Sequence, residues 1–494
     1  MEKSGKVIFC GDKHIENIFP EVVHRMEEKY TKEKGYQLAY FKHETPVLSW
    51  KEIMSLQAVI ETKPVAMLLH IGLQDCIEGT TWEEIQTQID WVVEQAKASG
   101  IRLVLTTVPI IKKYQKKILD YNKKILNYAR EIQVRIADIG EYCKRIRTEW
   151  KDEERYSSEM IKCAGDAIMP VLTRSKMLVL WQFNGRYAHC NYACPYCYVA
   201  TSVNKGMHFN YSIEEWEKAF VRHFEGKDVV FYFSYGEPMM AGKVFYEVLE
   251  MIGRHPTWQV RMTSNVSLPL ERLVNSRLAK EKRLFVNASF HPTQIGIDDF
   301  LKKCDELRSN GIEPSVIYVM YPDQMDAFDE YVKKFREKGY RVHIRAFRGL
   351  YRGKKYPQAY THEQWKKTAK YMDRANFKYQ LHAVNGLGRM SMLGMTHILV
   401  DNFGKIEMCD SYVGDRRYGN IFDEKIYLDV RPHPFPGLVP LAAVDDIADY
   451  TELDYEDLEE NNVNSYNTQG GVIKTADGEI IYPYEFVDLD DKEL

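Results

Sequence analysis

The sequence predicts an α/β protein in which strand and helix alternate through two successive domains, and three observations carry that prediction. Over the first 173 residues five short apolar runs are separated by helical patterns; from Lys176 the alternation restarts with longer spacing and gives six more runs; from Thr396 a short hairpin pattern replaces it. The length, 494 residues, allows roughly two to four domains, each with its own core.

In the first domain, residues 1–173, the runs are Lys6 to Cys10, Tyr36 to Phe41, Val65 to Ile71, Ile101 to Thr107 and Gln133 to Asp138. Five strands alternating with helices imply one sheet with helices on both faces. Ligands of such sheets sit at the carboxyl ends of the strands. The polar blocks expected there are Gly11-Asp12-Lys13, Gly72-Leu73-Gln74-Asp75 and Thr106-Thr107-Val108-Pro109, with a late Gly165-Asp166-Ala167-Ile168-Met169-Pro170.

The second domain, residues 174–347, has strands predicted at Leu178 to Phe183, Val229 to Phe233, Gln259 to Ser264, Leu284 to Ser289, Ser315 to Met320 and Arg341 to Ala346. Amphipathic helices are predicted at Ile213 to Phe224, Lys243 to Arg254, Ile297 to Ser309 and Met325 to Lys338. Six β/α units in this order suit a partial barrel with its chemistry on the loops after the strands.

Composition narrows the partners. Lys plus Arg number 67 against 71 Asp plus Glu, a net charge of -4, and no basic run is dense enough for a nucleic-acid footprint. No apolar run approaches the roughly 18 to 20 residues of a membrane span, and the opening MEKSGKVIFCGDKH places a strand where a signal peptide needs a longer apolar core. The expectation is a cytoplasmic protein. Nine cysteines suit a reducing compartment better than a disulfide framework, with Cys10, Cys76, Cys143, Cys163 and Cys304 expected as plain buried thiols.

The chemistry-bearing stretch is Cys190-Asn-Tyr-Ala-Cys194-Pro-Tyr-Cys197, three cysteines at Cx3Cx2C spacing after the first strand of the second domain. Three thiolates so close can bind three irons of a 4Fe-4S cluster and leave the fourth open to a ligand that is not protein. A zinc knuckle is the alternative, but structural zinc takes four closed ligands and His189 is poorly placed as the fourth.

This spacing, with Tyr196 before the third cysteine, resembles the radical S-adenosylmethionine (SAM) superfamily. Ser234-Tyr235-Gly236-Glu237-Pro238 is similar to that family's GGEP motif, with Tyr235 in place of the first glycine. Thr263-Ser264-Asn265 resembles the polar strand end that contacts the ribose, and in Asn287-Ala288-Ser289-Phe290-His291-Pro292, Ser289 matches a SAM-contacting position. The resemblance implies a 4Fe-4S cluster on Cys190, Cys194 and Cys197, and SAM held by Tyr196, Tyr235, Gly236, Glu237, Pro238, Ser264, Asn265 and Ser289. Arg345, near the end of the sixth strand, is the candidate partner of the SAM carboxylate, because a guanidinium matches carboxylate geometry; a barrel-rim arginine is the bland alternative.

The strand-end blocks of the first domain, in order, resemble SGNH (GDSL) hydrolases, a flavodoxin-like esterase family often acting on acylated carbohydrates and lipids. Lys13 stands where that family has its nucleophilic serine, Gln74 where it has the oxyanion-hole asparagine, and Met169 where it has the histidine after Asp166. A serine hydrolase needs a hydroxyl nucleophile and a base, so the resemblance implies a degenerate domain without hydrolase activity. A rival reading takes Asp12-Lys-His14-Ile-Glu-Asn17 as half of the DxHxxG that places a cobalamin-ligating histidine; its final glycine is missing.

Residues 348–430 form a third segment. Its basic stretch from Arg348 to Lys355 either faces an anionic substrate or is a solvated loop. Thr396 to Cys409 is predicted as a β-hairpin turning at Asn402 to Gly404, and with Tyr418-Gly419-Asn420-Ile421 it is similar to the SPASM and twitch extensions of radical SAM enzymes. Cys409 stands alone in the segment, so the expectation is a small α+β twitch-like extension without auxiliary clusters. Cys409 is then either a buried relic or a hydrogen-atom donor to a substrate radical. Residues 431–494 read as an acidic tail: prolines 432, 434, 436 and 440 mark the break, Asp445 to Glu460 holds nine acidic residues and no basic one, and a hairpin is expected between Gly470 and Tyr484.

The expected function is reductive cleavage of SAM to a 5'-deoxyadenosyl radical, which takes hydrogen from a C-H bond of a small molecule, with carbohydrates favoured by fold-level analogy alone. Without auxiliary clusters a redox-neutral outcome such as epimerisation, elimination or rearrangement is favoured. The partner is an electron donor such as flavodoxin or ferredoxin, with no nucleic acid. Peptide modification and a non-catalytic iron-sulfur scaffold binding glycans or partner proteins are the alternatives.

Overall fold

The computed structural model describes residues 6–29, 37–40, 49–145, 147–148, 150–151, 155–173, 176–183, 190–197, 210–234, 236–347, 349–356, 359–369, 371, 390–408, 418–434, 468–469, 472–474 and 480–481. The chain divides into two compact units, one of Met1–Ser175 with Met390–Met395 and Tyr427–His433, the other of Lys176–Arg389 with Thr396–Ile426 and Pro434–Leu494. Segments grouped by sequence into one extension over 348–430 are therefore shared between the units.

The first unit is built on β1 (Lys6–Gly11), β2 (Gln37–Tyr40), β3 (Ala66–His70), β4 (Arg102–Thr106) and β5 (Arg135–Ala137). They form an all-parallel sheet of order β2-β1-β3-β4-β5, the flavodoxin-like order of doubly wound sheets. Strand β3 is buried throughout, as a strand covered on both faces must be. The helix Trp82–Ala98 shows how locally consistent the sequence is: Thr81 and Glu84 form a capping box, and Ile85, Ile89, Val92 and Ala96 line its buried face. The free edge of β5 is covered by the returning chain, where Ile136 N donates to Val430 O at 3.0 Å and Arg431 pairs with Asp138 at 2.9 Å.

The strand ends of this unit correct two expectations. Asp166 lies inside the helix Ser158–Thr173, not at a strand end. His14, the residue of the cobalamin reading, is not open to a cofactor: it is 1% exposed, stacked on Tyr156 at 4.0 Å with Trp150 at its edge. Gln74, which the hydrolase resemblance sets in the place of an oxyanion-hole asparagine, donates to Glu78 at 2.7 Å. His70, at the end of β3, bonds Thr106 Oγ1 at 2.7 Å and Tyr156 OH at 3.0 Å.

Burial lowers the pKa of His14 to about 4 and lowers that of His70, so both are carried neutral. Between pH 6.5 and about 4 the unfolded chain binds protons that the folded unit refuses, and stability falls as pH drops through that window. His14 alone accounts for about 3 kcal/mol of this loss by the usual conversion. Urea midpoints at pH 7 and pH 5 are expected to converge in His14→Phe; an unchanged gap would refute the buried neutral histidine.

The second unit is built on β6 (Met177–Trp181), β7 (Val229–Phe233), β8 (Trp258–Ser264), β9 (Leu284–Phe290), β10 (Ser315–Met320) and β11 (Val342–Ala346), all parallel and in sequential order across the sheet. Its core is aromatic: Trp181 lies 5.0 Å from Trp216 and 4.8 Å from Phe220, both on the capped helix Ile213–Phe224. The expected hairpin joins this same sheet. His397–Val400 runs parallel beside β6, and Ile406–Glu407 returns antiparallel to it. Gly404 sits in the turn at φ +79, where a Cβ would meet Asn420 and Phe422 at 2.5 Å, so the Gly-Asn-Ile block packs against the turn.

The basic stretch is a hairpin rather than a loop. Gly349–Tyr351 and Lys354–Tyr356 pair antiparallel around Arg352 and Gly353, both at positive φ as a type I′ turn demands. Arg352 is held by Asp323 at 3.3 Å. In the tail, Thr468–Gln469, Val472–Lys474 and Ile480–Ile481 pair antiparallel. Among the described residues no helix is long and apolar enough to cross a membrane.

Candidate functional site: the carboxyl edge of the second sheet

Parallel pairing brings the singled-out residues of the second unit to one edge. Register sets Ser264 opposite Ala288 and Ser289 opposite Ile317, so Asn265 and Ser289 fall at the same level, with Arg345 opposite Val319 farther along. Ser289 is buried and Arg345 half-buried on the last strand. Tyr235 and Cys409 lie outside the described residues.

The turn after β7 explains its own sequence. Gly236 has φ +63, a conformation that costs an L side chain roughly 1–2 kcal/mol. Pro238 opens the short helix Pro238–Ala241, where a missing N–H is harmless, and Glu237 caps it by accepting Met239 N at 3.2 Å. Gly236→Ala is expected to lower the unfolding midpoint by that cost and to weaken SAM binding; calorimetric titration with SAM checks the second part, and undiminished affinity would remove Gly236 from the site.

Glu237 is completely buried. Its carboxylate accepts Ser264 Oγ at 3.0 Å through both oxygens and Asn265 N at 2.8 Å, which ties the end of β7 to the end of β8. Burial raises its carboxyl to about 7. Ser264 Oγ also accepts Val266 N at 2.9 Å. The Glu237 and Ser264 side chains are thus committed to each other.

The cysteine loop is pinned on two sides. Toward β8, Asn265 Nδ2 lies 3.6 Å from Cys190 Sγ and 2.9 Å from Asn191 Oδ1, while Asn191 Nδ2 donates to Ser267 Oγ at 2.8 Å. Toward β9, Ala193 N donates to Gln294 at 3.1 Å, and Tyr196 OH bonds His291 Nδ1 at 3.0 Å with the two rings stacked. Tyr196 also meets Tyr321, at the end of β10, at 4.8 Å. His291, Gln294, Ser267 and Asn191 were not singled out from sequence. His291 carried a signal, since it follows Ser289 within the same strand-end block.

The donor set fits an iron-sulfur cluster. Cys194 is buried and Cys190 and Cys197 are half-buried. Burial, then the proximity of Cys197 and Cys190, pushes Cys194 up to about 12, and burial raises Cys190. Burial thus holds Cys190 and Cys194 as thiols, and they would ligate as thiolates only against compensating positive charge, which the irons of a cluster would provide. Among the described residues no three His, Cys, Asp or Glu side chains converge on a single ion; a cubane asks less, because each cysteine ligates a different iron. Cys10, Cys76, Cys143, Cys163 and Cys304 are buried thiols elsewhere.

Residues 186–335 match the Radical SAM superfamily. That segment is a radical SAM domain. Its cofactors are a 4Fe-4S cluster and S-adenosylmethionine, and Cys190, Cys194 and Cys197 all fall inside the matched segment. Among solved structures the chain is similar to native anSMEcpe with bound AdoMet, at 18% identity and TM-score 0.38, over 50% of this chain and 78% of that one. SuiB of Streptococcus suis bound to S-adenosylmethionine is 13% identical at TM-score 0.36, over 63% and 77%. A catalytic mutant of Axe2, an acetylxylan esterase from Geobacillus stearothermophilus, is 14% identical at TM-score 0.30, over 34% and 95%. No curated protein matches the chain. Assignment of this radical SAM domain rests on the superfamily match and on the cysteine loop.

Proposed function

We propose that this radical SAM enzyme abstracts hydrogen from a C-H bond of a small-molecule substrate, carbohydrate-related, with a redox-neutral outcome. The cluster, when bound, supplies the electron that splits SAM into methionine and a 5'-deoxyadenosyl radical. The observation carrying the reading is the anchoring of the three-cysteine loop between the ends of β8 and β9. That anchoring holds the cluster ligands at the edge where barrel enzymes keep their chemistry.

In this proposal Cys190, Cys194 and Cys197 ligate the cluster. Tyr196 and the segment from Tyr235 to Pro238 flank SAM, Arg345 meets its carboxylate, and Ser289 lines the floor between them. Glu237 acts indirectly: it fixes Ser264 and the backbone of Asn265, so the floor is set before SAM arrives. The six parallel strands are taken as a partial (β/α)6 barrel, the hairpin beside β6 as a twitch-like element without auxiliary clusters, and the first unit as a degenerate SGNH-like domain. Cys409 is a candidate hydrogen donor in an epimerisation. The external reductant is a flavodoxin or ferredoxin.

The test is incubation of reduced enzyme and SAM with perdeuterated sugars. Deuterium is expected in 5'-deoxyadenosine for one sugar class; deuterium from peptides and from no sugar would replace the substrate class.

A further inference from the structure

The side chain of Asn265 has an orientation that its neighbours leave no choice about. Its Oδ1 receives the backbone N–H of Ser267 at 3.0 Å and the Ser267 hydroxyl at 2.7 Å. A backbone N–H can only donate, so the atom facing it is the amide oxygen, and the atom turned the other way is the amide nitrogen. That nitrogen lies 3.6 Å from Cys190 Sγ and 2.9 Å from Asn191 Oδ1. The backbone of Asn265 is fixed in turn, because its N–H donates to the buried carboxylate of Glu237 at 2.8 Å. Asn265 is 4% exposed. The amide is thus held from both ends against the first cysteine of the loop. Tyr192 N, at 3.4 Å, is the second donor to the same sulfur.

We propose that Asn265 is a positioning residue of the cluster, whose side-chain amide donates a hydrogen bond to the Cys190 thiolate and raises the cluster's reduction potential. This rests on the assignment of Cys190, Cys194 and Cys197 as cluster ligands, and it departs from the ribose-contacting role that family resemblance implied for Asn265. The physical reason is charge. Reduction adds an electron to the cluster, part of which falls on the ligand sulfurs, and a donor fixed against one of them stabilises the more electron-rich state. Ser267 contributes at one remove: its hydroxyl orients the Asn265 amide and receives Asn191 Nδ2 at 2.8 Å, so the loop and the donor are braced together.

The experiment is redox potentiometry of the reconstituted full-length protein, following the EPR signal of the reduced cluster without SAM, with SAM affinity measured separately. The midpoint is expected to fall in the order wild type, Ser267→Ala, Asn265→Ala, Asn265→Asp. The last variant replaces the donor by an anion while keeping an acceptor for Ser267. SAM affinity is expected to stay unchanged in Ser267→Ala. Should Asn265→Ala fail to assemble a cluster, the Ser267→Ala and Asn265→Asp midpoints decide. Equal midpoints throughout would overturn the inference, as would weakened SAM binding at an unchanged midpoint, which returns Asn265 to the SAM site. A wild-type protein that takes up no iron and shows no reduced signal overturns something else, the cluster assignment itself.

Discussion

Cys197→Ala is expected to lose its iron on anaerobic reconstitution and to form no 5'-deoxyadenosine above background, while circular dichroism stays at the wild-type level. The expectation follows from ligand count. Two protein thiolates cannot hold a cubane whose fourth iron must stay open for SAM. Cys197 is half-buried in a turn closed by its own N–H to Cys194 O at 3.1 Å, and its removal opens no core cavity. The matching control is Cys304→Ala. That thiol is fully buried in the helix Ile297–Ser309, and burial pushes it up to about 12, which makes it inert. Its loss is expected to cost about 1 kcal/mol of stability and no iron. Iron retained in Cys197→Ala, or lost equally in Cys304→Ala, contradicts the ligand assignment.

Glu237→Ala is expected to be the most destabilising single change at the site. It strands the Ser264 hydroxyl and the N–H groups of Asn265 and Met239 and leaves a cavity beneath them, at a combined cost of roughly 3–5 kcal/mol. Glu237→Gln keeps one acceptor oxygen and is expected to cost about 1–2 kcal/mol. The pH dependence has a definite sign. The folded carboxyl titrates near 7 against 4.5 when free, so between these values the folded state binds the extra proton. The stabilisation from Glu237 is complete below about pH 4.5 and is lost as pH rises through 7. Urea unfolding of Glu237→Ala should therefore differ from wild type more at pH 6 than at pH 8. A constant or widening difference contradicts a buried, proton-holding glutamate.

Periodicity made the strands legible because the first sheet and the run from β6 to β11 are parallel, with largely buried strands. Runs such as Val-Val-Phe-Tyr-Phe at Val229–Phe233 are apolar on both faces and end in polar residues, which marks each strand and its functional end together. The helix Ile213–Phe224 was equally plain, since Ser212 and Glu215 cap it and its apolar residues recur at helical spacing. The three cysteines and the Gly-Glu-Pro turn were legible because their chemistry is local.

What sequence hid was tertiary. Nothing local says that Val430 covers the edge of β5, or that the strand from His397 pairs with β6, because both contacts join residues hundreds of positions apart. The Gly165 to Pro170 block looked like a strand end on polarity, but it sits among apolar residues spaced for a helix, and packing decided the matter. His14 matched half of a cobalamin motif because its stacking partner Tyr156, far along the chain, meets it only in the fold. Asn265 was found, but its partner was not, since only the folded loop brings Cys190 to it.

The central claim, that Cys190, Cys194 and Cys197 hold a cluster that cleaves SAM, has one most direct test. Anaerobically reconstituted protein is given SAM and dithionite, and 5'-deoxyadenosine is quantified by chromatography beside Cys194→Ala. The account predicts accumulation in the wild type and none in the variant. A wild type that carries a reduced cluster and still forms no 5'-deoxyadenosine would contradict it.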